Sequence, residues 1–169
     1  KNVVVNSYET RAVSIREVNL KNQCDILGNQ LMKENYLREP DSDVINGELS
    51  MLSAIYNGRI LIINKDAKII KDTYDIDVGK YALSEEVIQC FEGKSTANYD
   101  DKNAYIEMTS PITKMDSNTI EGVMLVSIST SEIEDSIDML ENRGNHLLSI
   151  ICILVLVFGY LLAGVLVKP

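Results

Sequence analysis

The apolar positions of this chain change period several times, and the changes divide it into elements. Residues 1–37 hold no proline and one glycine, Gly28, with apolar residues at helical spacing, which predicts one long helix. Val5, Tyr8, Ala12 and Ile15 form a three-four stripe suited to a partner helix. Leu20, Cys24, Leu27 and Leu31 form a second, shifted stripe suited to a core. Glu39-Pro40-Asp41 closes the helix, because a residue before proline avoids the helical region. A second helix is expected over 46–56, capped by Asn46 and stopped by Asn57-Gly58.

The period then shortens. Residues 59–64 read RILIIN, apolar on both faces, as in a buried central strand. A turn at Lys65-Asp66-Ala67 leads into a strand at 68–72, and the two make a hairpin. A longer loop fills 73–83, after which Ser84 caps a helix that opens on Glu85-Glu86, buries Val87, Ile88 and Phe91, and stops at Gly93. Strands follow at 97–100, 103–113 and 119–129, with turns at Asp101-Lys102-Asn103 and 114–118. The fold class is therefore α+β: a mixed sheet of about five strands, a long N-terminal helix and short covering helices.

After the sheet, Ser131 and Glu134 match a capping box. The apolar positions Ile133, Ile137, Leu140, Gly144, Leu147, Ile151 and Leu154 then continue in unbroken four-three alternation. They run into LLSIICILVLVFGYLLAGVLV, 21 residues without a charge (147–167). At 1.5 Å per residue this reaches about 30 Å, the thickness of a bilayer's hydrocarbon core, and it lacks the polar stripe of a soluble helix. It is read as a transmembrane helix, and the register makes 131–167 a candidate signal-transmitting helix that only Gly144-Asn145 threatens to break. The expected organisation is an extracytoplasmic domain over 1–130, a juxtamembrane helix over 131–146, the span over 147–167, and a cytoplasmic linker beginning at 168–169. The start at Lys1 and the stop at Lys168-Pro169 point to a piece of a longer protein.

Charge sets the orientation. Glu132, Glu134, Asp135, Asp138 and Glu141 precede the span against Arg143 alone, whereas Lys168 follows it, which places 1–146 outside the cytoplasm. Lys168 is the only charge beyond residue 146, so the outer part carries 15 basic and 25 acidic residues, a net of −10. Nucleic acid is thereby disfavoured as a partner. An acidic surface fits cation binding, although solubility explains it as well. Of the three cysteines, Cys152 lies in the span; Cys24 and Cys90 sit among apolar helical residues, where buried thiols are favoured over a disulfide.

No catalytic signature is present: neither a phosphate-binding GxxxxGK[ST] loop nor GxGxxG nor HExxH occurs. The single histidine, His146, sits at the membrane edge, away from any Ser-His-Asp arrangement. Asp75, Asp77 and Glu86 have the spacing of calcium-loop positions 1, 3 and 12, but Gly79 stands where a ligand is needed and Lys80 where the turn needs glycine. No metal, cofactor or catalytic residue is therefore assigned.

Three stretches carry a resemblance: GRILIINKDAKIIKDTYDIDVGK (58–80), TSPIT (109–113) and EGVMLVSISTSEI (121–133). They resemble the extracytoplasmic PAS-like sensor domains called PDC or single Cache domains, although the family's hairpin usually has glycine where this chain has Ala67. The resemblance implies a PAS-like sheet, a further membrane helix before Lys1, a homodimer along the long helix, and a HAMP linker opening at Lys168-Pro169. It implies the input domain of a two-component sensor histidine kinase, with a chemotaxis receptor or diguanylate cyclase as the alternative; a cell-surface protein-interaction module is a more distant one. It also implies a small extracellular ligand between the sheet and its covering loops. Strand alternation puts Tyr105, Glu107 and Thr109 on one face, and Tyr74, Tyr81 and Tyr99 come from segments able to cover it. These six are the candidate ligand-binding residues, suited to an amine or amino acid.

Overall fold

The RILIIN run lies in β1 (Gly58–Asn64), where Ile60, Leu61, Ile62 and Ile63 are all buried. The computed structural model describes residues 3–114, 116–117 and 119–167, excluding the side chains of 3–6, 134, 140–141 and 161–167. In order come α1 (Val3–Lys33), α2 (Asp43–Ile55), β1, β2 (Ile69–Asp72), α3 (Glu85–Phe91), β3 (Ala97–Asp100), β4 (Tyr105–Thr113), β5 (Ile120–Ser129) and α4 (Ser131–Val167).

The five strands form one sheet in the order β2-β1-β5-β4-β3, so β5 is the centre and β1 its inner neighbour. Every neighbouring pair is antiparallel, where a mixed sheet was expected. Short turns join three of the four pairs, and only antiparallel strands can be joined so closely.

Register divides the sheet into two faces. Arg59, Leu61 and Ile63 oppose Ser127, Leu125 and Val123, which in turn oppose Glu107, Thr109 and Pro111. Ile60 and Ile62 share the second face with Met124, Val126, Ile106 and Met108. The second face is the larger core. Leu20, Cys24, Leu27 and Leu31 of α1 are buried, as their stripe predicts, as are Ile45, Leu49 and Leu52 of α2. Two polar contacts tie these helices to the sheet: Ser110 Oγ donates to Asp25 at 3.4 Å, and the Ser53 hydroxyl donates to the Gly58 carbonyl. On the first face, α3 packs Val87 and Cys90 against Leu61, Ile63, Ile69 and Val123. Each such buried aliphatic side chain contributes about 1.5–3 kcal/mol.

Several boundaries differ from expectation. The helix of α1 ends at Lys33, and turns carry the chain on through residue 38. α2 begins at Asp43 with Ser42 as its cap, the Ile45 N–H donating to Ser42 Oγ at 3.4 Å. Asn46 instead accepts the hydroxyl of fully buried Tyr36 at 2.6 Å, so tertiary contact claims the side chain expected to cap. In α3, Cys90 replaces Ile88 on the buried face, Ile88 is exposed, and Ser84 makes no side-chain cap bond. Cys24 and Cys90 are free thiols, and burial pushes the Cys24 thiol up to about 12.

Residues 11–131 form one compact unit, and 132–167 with the first turns of α1 form another. Within the second, α4 is a single 37-residue helix that passes through Gly144-Asn145 without a break. Among the described residues it is the one helix long and apolar enough, by length and composition, to cross a membrane. Ile133 and Ile137 are buried, Gly144, Leu147, Ile151 and Leu154 are exposed, and the side chain of Leu140 is outside the described set. So are Glu134, the expected capping partner, and Lys168-Pro169, the expected linker start.

Candidate functional site

The polar end of the first face is built around Asp72. This residue closes β2 opposite Leu61, which turns its side chain onto the face that carries Arg59. The carboxylate is fully buried and accepts the N–H groups of Tyr74, Ile76 and Asp77, each at 2.9 Å. It also accepts a two-pronged bond from the Arg59 guanidinium, with Nε at 2.9 Å. Burial alone would raise the Asp72 pKa; the guanidinium and three backbone donors outweigh it and hold the carboxyl well below its ordinary range. The same bond, against an opposing desolvation, pushes Arg59 further up.

A second carboxylate joins from the loop. Arg59 Nη2 donates to Asp77 Oδ2 at 2.6 Å, and Lys80 Nζ donates to Asp77 Oδ1 at 2.6 Å. The ammonium of Lys80 first, and Arg59 second, hold the Asp77 pKa below its ordinary value. The carboxylate at the third position of the calcium-loop spacing is thus paired with two cations. The guanidinium carbon of Arg59 lies 6.0 Å from the centre of the Tyr74 ring.

Cross-strand register extends the site. Glu107 on β4, Ser127 on β5 and Arg59 on β1 occupy one row, and Ser127 Oγ donates to Glu107 Oε2 at 3.2 Å. With strands about 4.8 Å apart, the backbones of Glu107 and Arg59 stand about 10 Å from each other across this row. One face thus offers a cation, a hydroxyl and a carboxylate in line.

The six candidates separate as follows. Tyr105, Glu107 and Thr109 share this face; Tyr105 is exposed, Glu107 half-buried and Thr109 buried. Thr109 Oγ1 accepts the Thr96 N–H at 2.9 Å and meets the Thr96 hydroxyl at 3.0 Å, which fastens the segment before β3. Tyr74 stands by Arg59. Tyr81 pairs with Lys68 at the other end of β2 and is 67% exposed, away from the Asp72 end. Tyr99 opposes Ile106 and therefore lies on the other face, a correction set by the register of β3 on β4. The residues the pattern did not single out are Arg59, Asp72 and Ser127, and Asp77 was singled out only for the rejected calcium-loop spacing. A signal existed: one arginine opening an otherwise apolar strand, with an aspartate at hairpin distance. An apolar groove of about 200 Å³ opens elsewhere, between α1 and α2, lined by Ile26, Met51 and Leu52.

No family model matches the sequence, and no curated protein matches it. Solved structures do. The sensor domain of Escherichia coli DcuS aligns with a TM-score of 0.52 at 12% identity, covering 71% of this chain and 96% of that one. The sensor domain of the Vibrio cholerae histidine kinase DctB aligns at 0.51 and 14% identity, covering 78% of this chain and 58% of that one. The ligand-binding domain of the Campylobacter jejuni chemoreceptor Tlp3, in complex with L-valine, aligns at 0.50 and 14% identity, covering 79% and 60%. The chain thus spans nearly all of the first and under two thirds of the other two. All three are sensor or ligand-binding domains rather than catalytic ones, and the chain has their PAS-like fold.

Proposed function

We propose that this chain is the extracytoplasmic sensory input domain of a transmembrane two-component histidine kinase. The observation that carries it is the joining of a sensor-domain sheet to an unbroken apolar helix: β5 ends at Ser129 and α4 begins at Ser131. A small extracellular ligand binds on the face bearing Arg59, Ser127, Glu107 and Tyr105, with Thr109 as buried support. Residues 1–146 lie outside the cell membrane and Lys168 leads into the cytoplasm. The stimulus acts by favouring one of two arrangements of the sheet and α4, which needs differential affinity and a coupling of about 1–3 kcal/mol. A homodimer along α1 is part of this reading, supported by Ile15, Val18 and Ile26, which are exposed on that helix.

A chemoreceptor output is the second reading, favoured by the likeness to the Tlp3 domain. The test joins the chain to a cytoplasmic histidine kinase of known output and exposes cells to amines, amino acids, carboxylates and divalent cations. At least one member changes kinase output threefold or more. A folded, membrane-inserted chimera that responds to none contradicts the proposal.

A further inference from the structure

Two aspartates meet Arg59, and they differ in kind. Asp72 is fully buried and saturated, with three backbone N–H groups and the guanidinium fork, so it cannot leave without stripping Arg59 of that fork and orphaning three N–H donors. Asp77 has a side chain 26% exposed, and its carboxylate gives one oxygen to Arg59 and the other to Lys80. A free carboxylate placed between these two cations would make the same two charge-assisted bonds.

The loop that carries Asp77 adds a second observation. Tyr74, Ile76 and Val78 alternate with Asp75 and Asp77, and each of the three is more than half exposed to water. Exposed apolar side chains grouped on one loop mark a surface suited to meeting a ligand or partner. The loop is tied to the sheet at Asp72 through the N–H groups of residues 74, 76 and 77, and at its far end by the Gly79 N–H donating to the Ile69 carbonyl. Within this loop Asp77 supplies the carboxylate that reaches Arg59, while its own N–H holds its backbone to Asp72.

We propose that Asp77 is a built-in occupant of a carboxylate site formed by Arg59 and Lys80, and that a small monocarboxylate displaces the Asp77 side chain from it. The proposal rests on the sensory reading above and names its ligand class. A single carboxylate is favoured because the site already sets Asp72, Asp77 and Glu107 against two cations, so a second negative charge meets net repulsion. Intramolecular competition by Asp77 keeps affinity for a bare carboxylate low, and a natural ligand overcomes it with further contacts along the Ser127–Glu107 row.

The test uses the chain in lipid nanodiscs, with propionate as the probe and propionamide as its uncharged counterpart. Asp77→Ala binds propionate at least tenfold more tightly than the wild type, whereas propionamide binding is equal in both. Independently, the Arg59 Nε–H resonance of the nitrogen-15-labelled wild type moves on titration with propionate and not with propionamide. Equal or weaker propionate binding by a folded Asp77→Ala, or an Arg59 resonance indifferent to propionate, overturns the proposal. If Asp77→Ala does not fold, the wild-type titration decides alone. Loss of this inference leaves the kinase chimera's response to other stimuli untouched, so the two failures are separable.

Discussion

Arg59 and Asp72 meet diagonally across the β1–β2 hairpin, with the carboxylate fully buried and the guanidinium 27% exposed. The pair fixes the start of the 73–80 loop, because the same carboxylate receives the N–H groups that follow it. Replacing one partner of a buried pair leaves the other uncompensated.

Asp72→Asn should therefore lose about 3 kcal/mol at neutral pH, toward the lower end for such pairs because Arg59 keeps Asp77 and some water. The Asp72 pKa is depressed in the folded chain from an ordinary 3.8, so its contribution is complete above that value. It is lost as pH falls below 3.8 toward the folded pKa. Urea unfolding at pH 7 and pH 3 checks this: the gap between wild type and Asp72→Asn narrows at the lower pH. A gap independent of pH would show that charge is not what Asp72 supplies.

Ala67 sits in the left-handed region at φ 58°, in a turn where Asn64 Oδ1 accepts the N–H groups of Asp66 and Lys68. A side chain there costs roughly 1–2 kcal/mol, part of which glycine returns as unfolded-state entropy. Ala67→Gly should gain about 0.5–1 kcal/mol, read as a rise of a few degrees in Tm by circular dichroism. An unchanged or lower Tm would show that the turn is not strained at this position.

Gly122 is held by its neighbours rather than by its own dihedral angles. A Cβ on it would lie 2.6 Å from the Ile63 carbonyl oxygen and 3.2 Å from the Leu37 side chain. Leu37 can shift, but the strand backbone of β1 cannot. Gly122→Ala is expected to cost about 1–3 kcal/mol, and Leu37→Ala in the same chain should recover little of it. Recovery of most of the loss would place the clash on Leu37 instead.

How much the chain disclosed depended on what sets each feature. The Leu20, Cys24, Leu27 and Leu31 stripe was legible because one helix packed on one sheet obeys a single period. The exposed position of Ile88 was not, because four apolar residues crowded into a seven-residue helix leave its rotation to the packing of Cys90. Tyr99 was expected only to come from a segment able to cover the Glu107 face, and the turn at 101–104 sets the parity that puts it opposite Ile106 on the other one. Arg59 was passed over because the strand was read for its apolar run, while its partners lie 13 and 18 positions away and meet it only through the hairpin and loop. Tyr105 and Glu107 were placed together by simple alternation, which the straight run of β4 preserves.

The central claim is that α4 carries the domain's state inward as one rigid helix. Inserting one alanine after Gly144 rotates everything beyond it by about 100° and leaves the 11–131 unit unaltered. In the kinase chimera this insertion should abolish or invert the stimulus response, and a seven-residue insertion, close to two full turns, should largely restore it. A one-residue insertion that signals like the parent would contradict direct helical transmission.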